Sequence, residues 1–230
     1  DCDSPYMLLV DIVKENKCAG GIIITASHNP AEWSGLKFID IDGCFLSPQK
    51  NTKLLAYPIE KHNKISTGRE KIDYNSQSIS QHIKSTIKLS YIDIERIRNK
   101  KYKIVIDAIN CSGSKVIPKL LKKMGCEVIT INCNANGDFS RGAEPLPHNL
   151  TELSKSVLET NSNLGIATDP DGDRLAIVDE RGNPLGEEFT LVVCCDSILK
   201  QHTLKNPIVT NLSTSMAIDK LADKYNVKVK

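Results

Sequence analysis

Apolar residues recur along this chain with two periods, and where each prevails sketches the fold. Ser4-Pro5, an N-cap followed by a first-turn proline, opens a helical spacing that runs to about Asn16. Two glycines and the β-branched run Ile22-Ile23-Ile24 then predict a short buried strand ending at Thr25, which Pro30 stops. Asp42-Gly43 is a hairpin signal between two short strands in "LKFIDIDGCFLS". A helix is expected within residues 47–61, and the apolar content falls around "NKISTGREKID", which reads as a surface connection. Helical spacing resumes at "NSQSISQHIKSTIKL" and "IDIERIRNK".

From residue 102 the two periods alternate plainly. "YKIVIDAI" reads as a strand, "SKVIPKLLKKMG" as a helix capped by Gly125, and "EVITIN" as a strand. "NLTELSKSVLETN" is a helix and "LGIATD" a strand. Then come a hairpin over "RLAIVDERGNPLG" and a helix over "EEFTLVVCCDSILKQH". "PIVTNL", "STSMAIDKLADKYN" and "VKVK" begin the alternation again. Strand and helix in turn predict an α/β fold: tandem α/β units, with mixed or parallel sheets flanked by helices. Boundaries near residues 73 and 182 divide the chain into a partial first unit (1–72), a second (73–181) and the start of a third (182–230).

Composition removes several classes of function. With 230 residues, 40% hydrophobic and 25% charged, the chain has the make-up of a soluble globular protein. Its net charge of +2 gives no reason to expect nucleic acid or a membrane surface as partner. No apolar run is long enough to span a bilayer, and no signal-peptide pattern opens the sequence. The eight cysteines include no C-x-x-C pair and several sit in apolar runs. They read as reduced, mostly buried residues of a cytoplasmic protein.

Two polar loops carry the candidate chemistry. The first, "TASHNP", would hold Ser27 and His28 on a stiff turn at a strand end, with Lys37 nearby. The second places Asp169, Asp171 and Asp173 at alternating positions between two apolar strands. In a straight strand these would lie too far apart to cooperate. Pro170 and Gly172 instead predict a turn that folds the three carboxylates around one point, where they repel unless a cation joins them. A hard, oxygen-ligated ion is expected, Mg²⁺ or Ca²⁺ rather than zinc.

An EF-hand loop would match Asp169, Asp171, Asp173 and Glu180. It needs glycine where Arg174 stands, and helical rather than strand-like flanks. A solvated acidic turn is the plain alternative. A Ser-His hydrolase lacks the G-x-S-x-G elbow, and adjacent side chains on a strand end seldom face each other as nucleophile and base. Serine, lysine, arginine and a carboxylate-held cation together suggest phosphoryl chemistry.

"TASHNP", "SGLK", "EPLPHNL", "DPDGDRLAIVDERG" and "GEEFTL", in this order, resemble the signature segments of the α-D-phosphohexomutase superfamily. Its members are phosphoglucomutases, phosphomannomutases and phosphoglucosamine mutases. "GGIIITASHNPAEWSGLKFI" followed by "FLS" looks most like the bacterial phosphoglucosamine mutases. The resemblance implies that Ser27 carries a phosphoryl group and that Asp169, Asp171 and Asp173 hold Mg²⁺ together with a phosphoserine oxygen. It implies transfer from Ser27 to a hexose phosphate, a hexose bisphosphate intermediate, and a net shift of phosphate between C6 and C1. Glucosamine 6-phosphate is the implied substrate, with glucose or mannose phosphate as alternative.

Lys37 would serve as acid/base or neutralise phosphate, and Arg174 would point into the site. His28 and Asn29 would orient the loop, with His28 also within reach of substrate. Ser34 stands where the family often has asparagine. The family's sugar-reading third domain and phosphate-binding fourth domain extend past what is seen here. A chain with the donor and metal loops alone is therefore expected to bind Mg²⁺ and turn over little. The competing class is a non-catalytic sugar-phosphate-binding relative.

Overall fold

A computed structural model describes residues 6–15, 17–58, 77–202 and 206–230. The Ser4-Pro5 cap, Cys2, His62, the connection at 63–73 and the first unit boundary lie outside these residues. The second unit is built on a four-stranded sheet in the order β4-β3-β5-β6. Its strands are β3 (Lys103–Asp107), β4 (Glu127–Ile131), β5 (Leu164–Thr168) and β6 (Leu175–Val178). β4, β3 and β5 run parallel, and β6 is antiparallel to β5. Helix α5 (Gly113–Lys123) connects β3 to β4, and α6 (Thr151–Glu159) lies between β4 and β5.

Side-chain alternation explains why the middle of β3, Ile104 to Ile106, is apolar throughout. Val105 points to the α6 side and packs with Leu150, Leu153, Val157, Ala167, Ala176 and Val178. Ile104 and Ile106 point the other way, against Leu121, Cys126 and Ile166. A strand covered on both faces has no polar side to show. Gly165 in β5 lets α6 come close, since a Cβ there would lie 2.8 Å from Val157 Cγ2. The carboxyl ends of β3 and β5 thus lie side by side, where ligands of open α/β sheets bind.

The first unit contributes α1 (Tyr6–Glu15), β1 (Gly21–Thr25), β2 (Gly35–Ile39) and α2 (Pro48–Leu55). β1 and β2 form an antiparallel pair with Thr25 opposite Gly35, so the Ala26–Ser34 segment is a hairpin loop. α3 (Ser78–Ile87) and α4 (Ile94–Lys100) lead into β3, while α7 (Glu187–Gln201) and α8 (Ala217–Tyr225) pack together after β6.

Three expectations need correction. β1 is not buried: Ile22 and Ile24 are 60% and 70% exposed, because α1 covers the opposite face of this two-stranded sheet and, among the described residues, nothing covers theirs. Second hairpin arms and the 207–212 strand shrink to isolated bridges, Ile39 with Phe45, Val178 with Pro184 and Ile208 with Val229. The turn at Asp42-Gly43 does form, with Gly43 left-handed at φ 77°. The cysteines are not mostly buried either. Of the seven described, all free, only Cys111 and Cys126 are buried, while Cys44 in the turn after residue 39 and Cys194 in α7 are exposed.

Leu153 is fully buried between α6 and the sheet. Leu153→Ala is expected to destabilise the protein by about 2–5 kcal/mol, read from the urea midpoint at unchanged slope.

Candidate active site

The metal-loop candidate, residues 169–174, is the connection between β5 and β6, closed by the pairing of Thr168 with Leu175. Asp169 organises it from within. Its Oδ1 accepts the backbone N–H groups of Gly172, Asp173 and Arg174, each at 3.1 Å. Gly172 makes the tight turn with φ 75°. From below, Ser112 braces the loop: its Oγ donates to the Pro170 carbonyl at 2.7 Å and its N–H to the same oxygen at 3.2 Å. The predicted convergence is met, for ligand oxygens of Asp169, Asp171 and Asp173 all lie within 4.8 Å of one another.

Asp169 and Asp171 are buried, and Asp173 faces outward. Burial, with the charges of Asp171 and Asp173 adding to it, pushes the Asp169 carboxyl up to about 7 against the pull of the Arg174 N–H. Two oxygens in this cluster, Asp169 Oδ2 and Asp171 Oδ1, are buried without a hydrogen-bond partner among the described residues. An orphaned buried acceptor costs on the order of 1–3 kcal/mol. An all-oxygen, anionic donor set with unsatisfied oxygens fits a hard divalent cation, Mg²⁺ above all.

The serine loop meets this cluster directly. Asp171 Oδ2 accepts from Thr25 Oγ1 at 3.1 Å and from Lys37 Nζ at 2.7 Å, and Lys37 Nζ also lies 3.5 Å from Asp173 Oδ2. Burial pulls the Lys37 pKa down, but its hydrogen bond to Asp171 and the two aspartate charges outweigh that and leave it raised. Thr25 Oγ1 also accepts the Ser27 N–H at 2.8 Å. Ser27 has φ 54°, a left-handed conformation that a side chain adopts at a cost of about 1–2 kcal/mol. Asn29 closes the turn by bonding the Ala26 carbonyl through both its N–H and its Nδ2.

His28 and Arg174 form a second bridge between the loops. Arg174 Nη2 donates to His28 Nδ1 at 3.0 Å, and Ser27 Oγ lies 3.3 Å from the same nitrogen. Arginine only donates, so Nδ1 must be the acceptor. Serine and histidine thus do face each other, contrary to the expectation for neighbours, because the left-handed Ser27 turns its side chain back. The Glu144 carboxylate pairs with Arg174 on the far side. A cleft of about 400 Å³ opens there, lined by Glu144, Leu146, Arg174, Glu188 and Ser213–Ser215 among others.

The fold therefore gathers all seven predicted site residues: Ser27, His28, Lys37, Asp169, Asp171, Asp173 and Arg174. Sequence reasoning missed Thr25 and Glu144 as members. Glu144 does lie in "EPLPHNL", a segment that carried the resemblance.

Comparison with known proteins follows the same division. The family model for phosphoglucomutase/phosphomannomutase α/β/α domain I matches residues 7–64, and that for domain II matches 80–182. The chain belongs to this family, within the α-D-phosphohexomutase superfamily. Among individual relatives, it is 33% identical to the phosphoglucosamine/phosphogalactosamine mutase of Sulfurisphaera tokodaii, over 98% of this chain and 50% of that one. It is 33% identical to the phosphoglucosamine mutase of Methanococcus maripaludis, over 91% of this chain and 47% of the other.

A phosphoglucomutase/phosphomannomutase of Thermococcus kodakarensis is 29% identical over 91% and 46%. The chain thus spans about half the length of the curated relatives it matches. A crystal structure from Thermus thermophilus shares the fold with TM-score 0.84 at 22% identity, over 99% of this chain and 51% of its own.

The Lys37 ammonium stands on Asp171 Oδ2, beside the unsatisfied Oδ1, and its charge repels a cation bound at the cluster. Lys37→Met is therefore expected to tighten Mg²⁺ binding a few-fold, roughly the loss of one partly screened charge. Calorimetric titration of the unphosphorylated protein measures it; weaker binding would mean that Lys37 supports the ion instead.

Proposed function

We propose that this chain supplies the phosphoryl-donor and metal loops of a phosphohexomutase, interconverting hexose 6-phosphate and hexose 1-phosphate through a phosphoserine at Ser27 and a hexose bisphosphate. The observation that carries this reading is the link Ser27–Thr25–Asp171, which ties the backbone of the serine to the carboxylate cluster through two hydrogen bonds of 2.8 and 3.1 Å. Nucleophile and cation site are thereby held in register, which is what phosphoryl transfer needs most. Units 1–72, 73–181 and 182–230 are its working parts: donor loop, metal loop and the beginning of a sugar-binding unit. The free cysteines accord with a cytoplasmic setting.

Asp169, Asp171 and Asp173 would hold Mg²⁺, which when bound neutralises phosphate oxygens. The chain's own residues do the rest. Lys37, bonded to Asp171, and Arg174, bonded to His28, bring positive charge to the meeting of the two loops. When Ser27 Oγ takes a phosphoryl group from the bisphosphate, its O–H bond breaks and the proton leaves for the sugar oxygen, since the His28 Nδ1 lone pair already accepts from Arg174. The sugar oxygen that loses the phosphoryl group takes up a proton, so the net exchange is one proton for one phosphoryl group. In the opposite direction the Ser27 Oγ–P bond breaks and a sugar O–P bond forms. In-line geometry explains why the donor sits on a strained, pinned turn.

Glucosamine 6-phosphate is the substrate this reading favours, since relatives at 33% identity carry that name. Glucose or mannose phosphate is the second reading, carried by the relative at 29%.

Incubating the complete protein with Mg²⁺ and, separately, glucosamine, glucose and mannose bisphosphates tests it. Mass spectrometry is expected to find phosphate on the Ser27 peptide, with the glucosamine compound loading fastest. An unmodified Ser27 in folded, metal-bound protein would leave a non-catalytic binding relative. Ser27→Ala is expected to cut turnover by about 10³-fold or more. Asp171→Asn should weaken Mg²⁺ binding by at least about tenfold, and unchanged affinity would take Asp171 out of the site.

A further inference from the structure

We infer that the segment Arg141–Glu144 is a clamp that positions the metal loop, with Arg141 gripping its entry and Glu144 its exit. The inference rests on the reading of residues 169–173 as a cation site.

Arg141 lies beneath the carboxyl ends of β3 and β5, its side chain 8% exposed. Each group of its guanidinium is used. Nε donates to Asp107 Oδ2 at 2.9 Å, Nη1 to the Gly142 carbonyl at 3.1 Å and Nη2 to the Thr168 carbonyl at 2.7 Å. That last carbonyl belongs to the peptide plane entering Asp169. Fixing the plane fixes where the Asp169 side chain departs, and Asp169 in turn gathers the three N–H groups that shape the loop.

Asp107 is itself 1% exposed and committed on both oxygens, the other accepting the Ile109 N–H at 2.9 Å. It anchors the β3–α5 turn, where Ile109 and Asn110 hold φ of 48° and 56°. The same turn carries Ser112, the brace under Pro170. Arg141 therefore couples the two strand ends on which the cation site stands.

Three residues on, Glu144 pairs with Arg174, the last residue of the loop. The segment between is pinned in turn. Asn149 Nδ2 donates to the Glu144 carbonyl at 2.8 Å, and Gly142 passes so close to the Asn149 side chain that a Cβ would collide with it. One short stretch thus holds both ends of the metal loop without offering an oxygen to the cation cluster. Buried ion pairs contribute little net stability against apolar replacements, so a fully committed one beside a ligand loop is best read as orienting it.

Calorimetric titration of the complete protein with Mg²⁺ tests the clamp, with folding checked by thermal unfolding and near-ultraviolet circular dichroism. Arg141→Lys keeps a charge for Asp107, but a single ammonium lacks the fork that spans Asp107 and Thr168. The folded variant is expected to bind Mg²⁺ about 10–100-fold more weakly. Glu144→Gln, at a partly exposed pair, is expected to fold normally and to weaken binding as well. A purely structural role would lower the melting temperature and leave the affinity of folded protein alone. Wild-type affinity in both folded variants overturns the clamp. Should Arg141→Lys fail to fold, unchanged affinity in Glu144→Gln overturns it by itself. Absence of Mg²⁺ binding in the wild-type protein would instead overturn the cation-site reading, and the clamp with it.

Discussion

Mutual repulsion among three carboxylates is the constraint on which the rest of this structure depends. Oxygens of Asp169, Asp171 and Asp173 lie within 4.8 Å, and two of those side chains are withdrawn from water. Such a cluster raises the free energy of the folded chain unless positive charge is brought to it. Everything around it supplies that charge or holds the loop against the repulsion. Three backbone N–H groups converge on Asp169 Oδ1, Lys37 reaches across from the other unit, and Arg174 stands at the loop's end. The oxygens left over are those a divalent cation would take. A solvated acidic turn would have no need to bury two unsatisfied carboxylate oxygens.

The sheet makes the arrangement affordable. Parallel strands β3 and β5 are covered on both faces, so their ends are among the stiffest points of the chain. Asp107 and Thr168, at these ends, stand next to each other and share Arg141. The antiparallel turn into β6 then returns the chain at once, which anchors the loop at two strand ends instead of one.

Much of this was legible in the sequence. The alternation of "YKIVIDAI" and "LGIATD" with helical segments announced a sheet flanked by helices, and alternating aspartates around Pro170 and Gly172 announced a turn that gathers charge. Other features were not, and the reasons are physical. Periodicity shows that Ile22 and Ile24 share a face but cannot tell whether anything covers that face. Among the described residues nothing does. Arg141 and Glu144 sit in a stretch with no period at all, and their bonds to the carboxylate loop reach residues 27 and 30 positions away, so periodicity could not reveal these contacts. In the sequence Thr25 marks the end of a strand; it caps the serine turn, and its second bond, to Asp171, exists only once the two loops meet.

That meeting also bears on how the serine loop is held. Both polar loops are hairpin connections, closed by the pairs Thr25–Gly35 and Thr168–Leu175. Their supports differ greatly. The carboxylate loop rises from a four-stranded sheet with a core on each side. Among the described residues the serine loop rises from two strands with one face open, a support that is marginal by itself. Yet the serine loop holds the strained residue, Ser27. Strain persists only where surroundings over-determine it. Here the determining contacts are Thr25 to Asp171, Lys37 to Asp171 and Arg174 to His28, all reaching to the metal loop. Ser27 is therefore positioned by the carboxylate loop more than by its own strand. A change that loosens the carboxylate cluster must then misplace Ser27 as well, even where β1 and β2 stay intact.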